Sequence, residues 1–144
     1  MPNVLVVGYD DSSAGQRALD FAAERARQTG ATLVVAHVLE WSPYSFLTVE
    51  ELAERHKRRE AELTRAQQAI VEPVLGKLHK AGLEARGELR YGHIADTLIA
   101  IAVEVGASEI VIGRTGESGI TARVFGSVAG TLAQAAPVPC TIVP

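Results

Sequence analysis

Apolar runs too short to span a membrane and almost free of polar alternation recur along this chain, with turns and helix-favouring segments between them. Val4-Leu5-Val6-Val7, Leu33-Val34-Val35-Ala36, Ile110-Val111-Ile112 and Thr141-Ile142-Val143 are short and rich in β-branched residues, the pattern of strands buried on both faces. Such strands belong to a parallel sheet, because parallel neighbours need crossover connections and the crossover helices are what cover the two faces. Leu83 to Tyr91 alternates apolar and charged residues and reads as a further, less buried strand.

Helical spacing fills the intervals. Ala14, Ala18, Phe21 and Ala22 share one face after Ser13, with Gln16 three residues on as the second half of a capping box, while Asp11 and Ser12 also suit the cap; Gly30 ends the segment. Thr48 to about Ala81 is charged and helix-favouring, with Leu52, Leu63, Ile70, Val74 and Leu78 as a partial apolar stripe, and Pro73 should kink or divide it before a C-cap at Gly82. Ile94, Leu98, Ile101 and Val105 mark another helix closed by Gly106, and a last one starts at Gly126-Ser127, turns Val128, Leu132 and Ala135 inward and stops before Pro137. Strands and helices therefore alternate throughout, which predicts an open, doubly wound α/β sheet with right-handed crossovers and helices on both faces, in one domain over residues 1–144. Glu40 to Leu47, carrying Trp41, Pro43, Tyr44 and Phe46, is the one long irregular stretch, placed to line a pocket, cover a dimer seam or pack on the core.

A formal charge of −3 with mixed signs gives no basic field to attract nucleic acid. The start of the chain lacks a basic segment ahead of an apolar one, so neither signal peptide nor membrane span is expected, and the location expected is cytoplasmic. The lone Cys140 sits in a strand pattern and reads as a buried thiol. His37 reads as a satisfied strand-end histidine, His93 as a helix start, and His56 and His79 lie on a charged helix face, so no structural metal is assigned.

Between the fourth strand and the last helix the chain reads Gly113-Arg114-Thr115-Gly116, then nine residues, then Gly126-Ser127. Glycines after a strand and at a helix start let free amides, a hydroxyl and the positive end of a helix approach phosphate oxygens, with Arg114 and Arg123 in the same loop to add charge. Charge-assisted hydrogen bonds of about 1.5–3 kcal/mol each make a handful enough for micromolar binding. Plain capping of a strand and a helix is the competing reading of the same glycines. The loop has no lysine, and none follows Lys80, which excludes the lysine-dependent P-loop; Gly8-Tyr9-Asp10-Asp11-Ser12 after the first strand lacks the dinucleotide fingerprint. In an open α/β sheet ligands bind beyond the carboxyl ends of strands where strand order reverses. Asp10, just past the first strand, is placed to accept from a ribose hydroxyl or to reach a phosphate-bound Mg²⁺ through water, and Val38 at the end of the second offers backbone and apolar surface to a purine.

With these residues the chain resembles the universal stress protein family over essentially its whole length. The resemblance is carried by Val4 to Ser12, Ala36-His37-Val38, Tyr91-Gly92, Ser108 to Gly113, the loop through Gly126-Ser127-Val128 and the ending Pro137 to Val143. The G-x-x-G-x9-G-[ST] spacing is that of the ATP-binding branch. The resemblance implies a five-stranded parallel sheet in the order 3-2-1-4-5, with Gly8, Tyr9, Asp10 and Val38 around adenine and ribose and Ile112, Gly113, Gly116, Gly126, Ser127 and Val128 holding ribose and phosphates. It also implies a homodimer through the last strand, Val138 to Val143. The function expected is thus an ATP-binding, nucleotide-sensing or signalling homodimer in a stress response, with Mg²⁺ accompanying the nucleotide and a downstream protein partner that the residues do not name. No catalytic residue is assigned, since no general base, lysine or paired acids gather at the loop; slow ATP hydrolysis is the most that is expected. The alternatives are a binder of cyclic AMP or AMP, an adenine-nucleotide hydrolase, and a regulator that binds no nucleotide.

Overall fold

A computed structural model describes residues 3–40, 48–114 and 127–144. The Trp41 to Leu47 part of the irregular stretch and the Thr115 to Gly126 part of the glycine loop lie outside the described residues. The strands are β1 (Val4–Gly8), β2 (Thr32–Glu40), β3 (Ala85–Gly92), β4 (Glu109–Gly113) and β5 (Cys140–Val143). They form one parallel sheet in the order β3-β2-β1-β4-β5, as the resemblance implied.

α1 (Ser13–Thr29) begins one residue earlier than the expected Ser13 cap would place it: Ser12 is the N-cap, its hydroxyl accepting from the Gly15 amide, because Ser12 is the last residue with extended backbone. Gly30, at φ 74°, ends it with the left-handed turn that a residue without Cβ adopts freely. α2 (Val49–Ala66) opens with a true capping box between Thr48 and Glu51. The expected break near Pro73 is a π turn over Gln67–Val71, where the Glu72 amide donates to the Gln67 carbonyl five residues back, followed by α3 (Glu72–Lys80). Proline has no amide to donate and its ring crowds the carbonyl four residues earlier, so the backbone widens there and Pro73 starts a new helix in its first turn. α4 (Ile94–Val105) ends at Gly106, φ 66°, and α5 (Ser127–Ala135) is the last helix among the described residues.

The sheet divides the core in two. Leu5, Val7, Tyr9, Leu33, Val35 and Val111 pack against α1 and α3; Val6, Val34, Ala36, Ile110 and Ile112 pack against α4 and α5. The side chains alternate along each strand with period two, so one residue's step exchanges faces. β3 is half-buried, as its alternation predicts. Two expected inward residues are exposed instead: Leu52, 53% exposed on α2, and Ala135, where Ala129 and Leu132 carry the buried face of α5. Helical spacing defines a stripe, but among the described residues α2 contributes only Ala66 to the buried interior, and its first turns are left uncovered by any described element.

Candidate functional site

Strand order reverses between β1 and β4, which pair directly with each other while their connections leave toward opposite edges of the sheet. In an open α/β sheet this reversal point is where a ligand crevice lies, beyond the carboxyl ends of the two strands. Both strands finish in glycine there. A Cβ at Gly113 would lie 2.8 Å from the Ala14 carbonyl oxygen and 2.9 Å from its carbon, so only glycine lets the end of β4 lie against the start of α1. A Cβ at Gly8 would press on Leu98 at 3.2 Å and Ile112 at 3.3 Å, on the opposite face.

Asp10 is held at this crevice by its own turn. Its Oδ1 accepts from the Ser12 amide at 3.1 Å and from the Ser12 hydroxyl at 2.5 Å, and that hydroxyl oxygen accepts in turn from the Gly15 amide at 2.9 Å. The carboxylate is thereby tied to the N-terminus of α1, where the helix dipole favours a negative charge. Among the described residues only Oδ1 is engaged by this turn. A Cβ at Gly15 would come within 2.5 Å of Asp10 Oδ1, so Gly15 is part of the arrangement. Sequence reasoning passed over it; the signal was the spacing Asp10-x-Ser12-x-x-Gly15, a carboxylate, a cap and a gap on one helical turn.

Tyr9 is split between two places. Its amide donates to the Ala36 carbonyl at 2.8 Å, and its own carbonyl accepts from Nδ1 of His37 at 2.6 Å. A carbonyl only accepts, so Nδ1 carries the proton, and the buried His37 is the satisfied strand-end residue expected of it. The Tyr9 ring, however, packs on the α1 and α3 face, its hydroxyl reaching Asp11 and Gln16. Burial, and after it Asp11, hold the phenol above its ordinary pKa.

Val38, Ile112 and Val128 all belong to the other face, in or against the core under α4 and α5, with Ile112 beside Gly8. Ser127 opens α5 and is exposed. The Arg114 amide donates to the Val143 carbonyl at 2.7 Å, which leaves its exposed side chain at the crevice edge. So Gly8, Asp10, Val38, Ile112, Gly113, Arg114, Ser127 and Val128 all belong to the carboxyl-end region, the Tyr9 ring does not, and Gly116, Arg123 and Gly126 lie outside the described residues. Among the described residues no three His, Cys, Asp or Glu side chains gather as a metal site.

The family model described as the universal stress protein family matches residues 1–144. This chain belongs to that family. Among curated universal stress proteins, YxiE of Bacillus subtilis is 30% identical over 99% of each chain. A Mycobacterium tuberculosis relative is 27% identical over 97% of this chain, but the chain spans only 47% of that relative's length. Among solved structures, universal stress protein UspA from Lactobacillus plantarum superposes with a TM-score of 0.84 at 22% identity, covering 99% of this chain and 97% of that one, which shows the shared fold. A universal stress protein in complex with cAMP superposes at 0.70 with 25% identity over 99% and 96% of the two chains. The universal stress protein fold thus accounts for the whole described sheet, and no helix among the described residues is long and apolar enough to cross a membrane.

Proposed function

We propose that this universal stress protein binds an adenine nucleotide at the carboxyl ends of β1 and β4, with ATP as its ligand, and that it works as a nucleotide-dependent regulator. The observation that carries this reading is the conjunction of two glycine-terminated strands with a carboxylate tied down between them: Gly8 and Gly113 leave backbone at the reversal point, and Asp10 is fixed there by Ser12. Adenine and ribose lie along Gly8, Tyr9 backbone, Asp10 and Val38; the phosphates lie toward Gly113, Ser127 and the loop carrying Gly116, Arg123 and Gly126. Where Mg²⁺ accompanies the phosphates, Asp10 would hold it through water, and the ion would offset phosphate charge. No residue is assigned to catalysis; the site grips the nucleotide.

A relative solved with cAMP favours a second reading, in which a single phosphate pairs with Arg114 or Arg123. Calorimetry with Mg-ATP and with cAMP on wild type and Asp10→Asn decides between them. Asparagine keeps the turn to Ser12 and removes the charge, so ATP binding should weaken about tenfold. Tighter cAMP than ATP binding establishes the second reading, and wild-type protein that binds neither, and carries no nucleotide when freshly purified and heat-denatured, refutes both.

The protein is also proposed to pair with a second copy along β5, an edge strand on which Ile142 is 38% exposed. Light scattering should return about twice the 15.3 kDa of one chain; a particle of one chain's mass rejects the dimer.

A further inference from the structure

On the face of the sheet away from Val38 and Ile112, α1 and α3 enclose a cleft of about 250 Å³. Its floor is Tyr9, Leu19, Val74 and Leu78, all buried. Its rim carries Asp11 and Asp20 on one side and Lys77 of α3 on the other. Nothing in the nucleotide reading uses this space.

Three irregularities of the molecule converge on it. Asp11 is the one non-glycine residue among those described with a positive φ, 65°, a conformation that costs energy unless its surroundings require it. The π turn supplies Ala69 and Ile70 to the wall, and such turns in otherwise regular helices occur often at functional sites. The buried Tyr9 hydroxyl has a single hydrogen facing two acceptors, Asp11 Oδ1 at 3.3 Å and Gln16 Oε1 at 3.4 Å, both longer than an ordinary O–H···O bond. Tyr9 lines the cleft, so an incoming donor could improve this poorly satisfied hydroxyl oxygen.

Size and charge together select the ligand. The cleft is below the roughly 300 Å³ at which drug-sized pockets begin, so its occupant is small. Two carboxylates and a phenol oxygen call for a multiple hydrogen-bond donor with positive charge, Lys77 calls for an anion, and the floor calls for hydrocarbon. We infer that the cleft is a second ligand site, for a free α-amino acid with an apolar side chain, whose ammonium group meets Asp11, Asp20 and Tyr9 while its carboxylate meets Lys77. A simple amine leaves Lys77 without a partner, and a simple carboxylic acid faces two like charges. Because Tyr9 also holds Ala36 and His37 through its backbone, an occupant of the cleft touches the same residue that ends at the nucleotide crevice.

The test is an amide NMR titration of the full chain with L-leucine, set against 3-methylbutylamine and 4-methylpentanoate, which keep its hydrocarbon and remove one charge each. Leucine should shift the amides of Asp11, Gln16, Ile70 and Lys77 saturably, and each analogue should bind at least about tenfold more weakly. Asp20→Asn and Lys77→Gln, both exposed positions whose exchange leaves the core intact, should each weaken leucine about three- to tenfold. No saturable shift with leucine, equal binding of the amine, or shifts confined to Gly8, Val38 and Ile112 overturns the inference. ATP titrations of the same sample read the other face, so loss of one site leaves the other measurable.

Discussion

The two ends of β4 are built on opposite plans. At its amino end Glu109 is only 8% exposed, and its carboxylate is filled: Nη1 of Arg25 lies 2.6 Å from Oε1 and 2.8 Å from Oε2, and the Thr141 hydroxyl donates to Oε2 as well. The Arg25 guanidinium also stacks on Phe21, 4.8 Å from the ring centre. Four residues on, Gly113 has no side chain and lies against the backbone of Ala14. One end joins α1, β4 and β5 through side chains that answer one another; the other brings the same elements together by omitting side chains. A carboxylate whose oxygens are all engaged can hold structure but has nothing left for a ligand, whereas backbone exposed by glycine stabilises little and can bind. Stability and binding are therefore expected to separate along a single five-residue strand.

The strongest way to break the contrast is at the closed end. Glu109→Ala should cost about 2 kcal/mol in urea unfolding, below the roughly 3–5 of a fully buried pair because the Arg25 side chain is 39% exposed, and should leave nucleotide affinity unchanged. A fall in affinity with no loss of stability would reverse the assignment of the two ends. Gly113→Ala pushes a methyl into the Ala14 backbone and should cost about 1–2 kcal/mol, and here calorimetry should show ATP binding weakened about tenfold. Ser12→Ala removes the cap of α1 and the hold on Asp10; about 1 kcal/mol of stability should go, with a smaller loss of affinity than Asp10→Asn.

Alkaline titration sharpens the contrast more gently. At the carboxyl end of β3, burial and then the hydrogen bond to Glu62 push Tyr91 up to about 12 from an ordinary 10, so its neutral form is favoured by folding. The folded-state pKa is raised, hence this contribution is complete below about pH 10 and is lost as the pH rises toward 12. Ultraviolet absorbance of the phenolate should show one tyrosine titrating last, and Tyr91→Phe should remove that step. The smallest effect is at Cys140, whose thiol is pushed up by burial and then by Glu109. It should react with a disulfide reagent more slowly than an unhindered thiol at neutral pH, and Glu109→Gln should raise the rate modestly.

Much of the frame is legible from local pattern. The β-branched runs became β1, β2, β4 and β5, Gly30 and Gly106 ended their helices, and Pro73 divided the long helix. Local rules work there because each residue's own backbone limits, a missing Cβ or a missing amide, act within one turn of chain. Leu52 and Ala135 failed to turn inward for the opposite reason. Period 3.6 says which residues share a helix face, and only a neighbouring element decides whether that face is covered.

The candidate site divides along the same line. Residue types and spacing alone brought Gly8, Asp10, Val38 and Gly113 to strand ends, because a parallel α/β sheet puts its turns there. Packing alone decided that the Tyr9 ring belongs with α1 and α3 while Val38 and Ile112 face α4 and α5. Strand alternation defines two faces without saying which helix covers either, and contacts between residues distant in the chain form only when the sheet has closed.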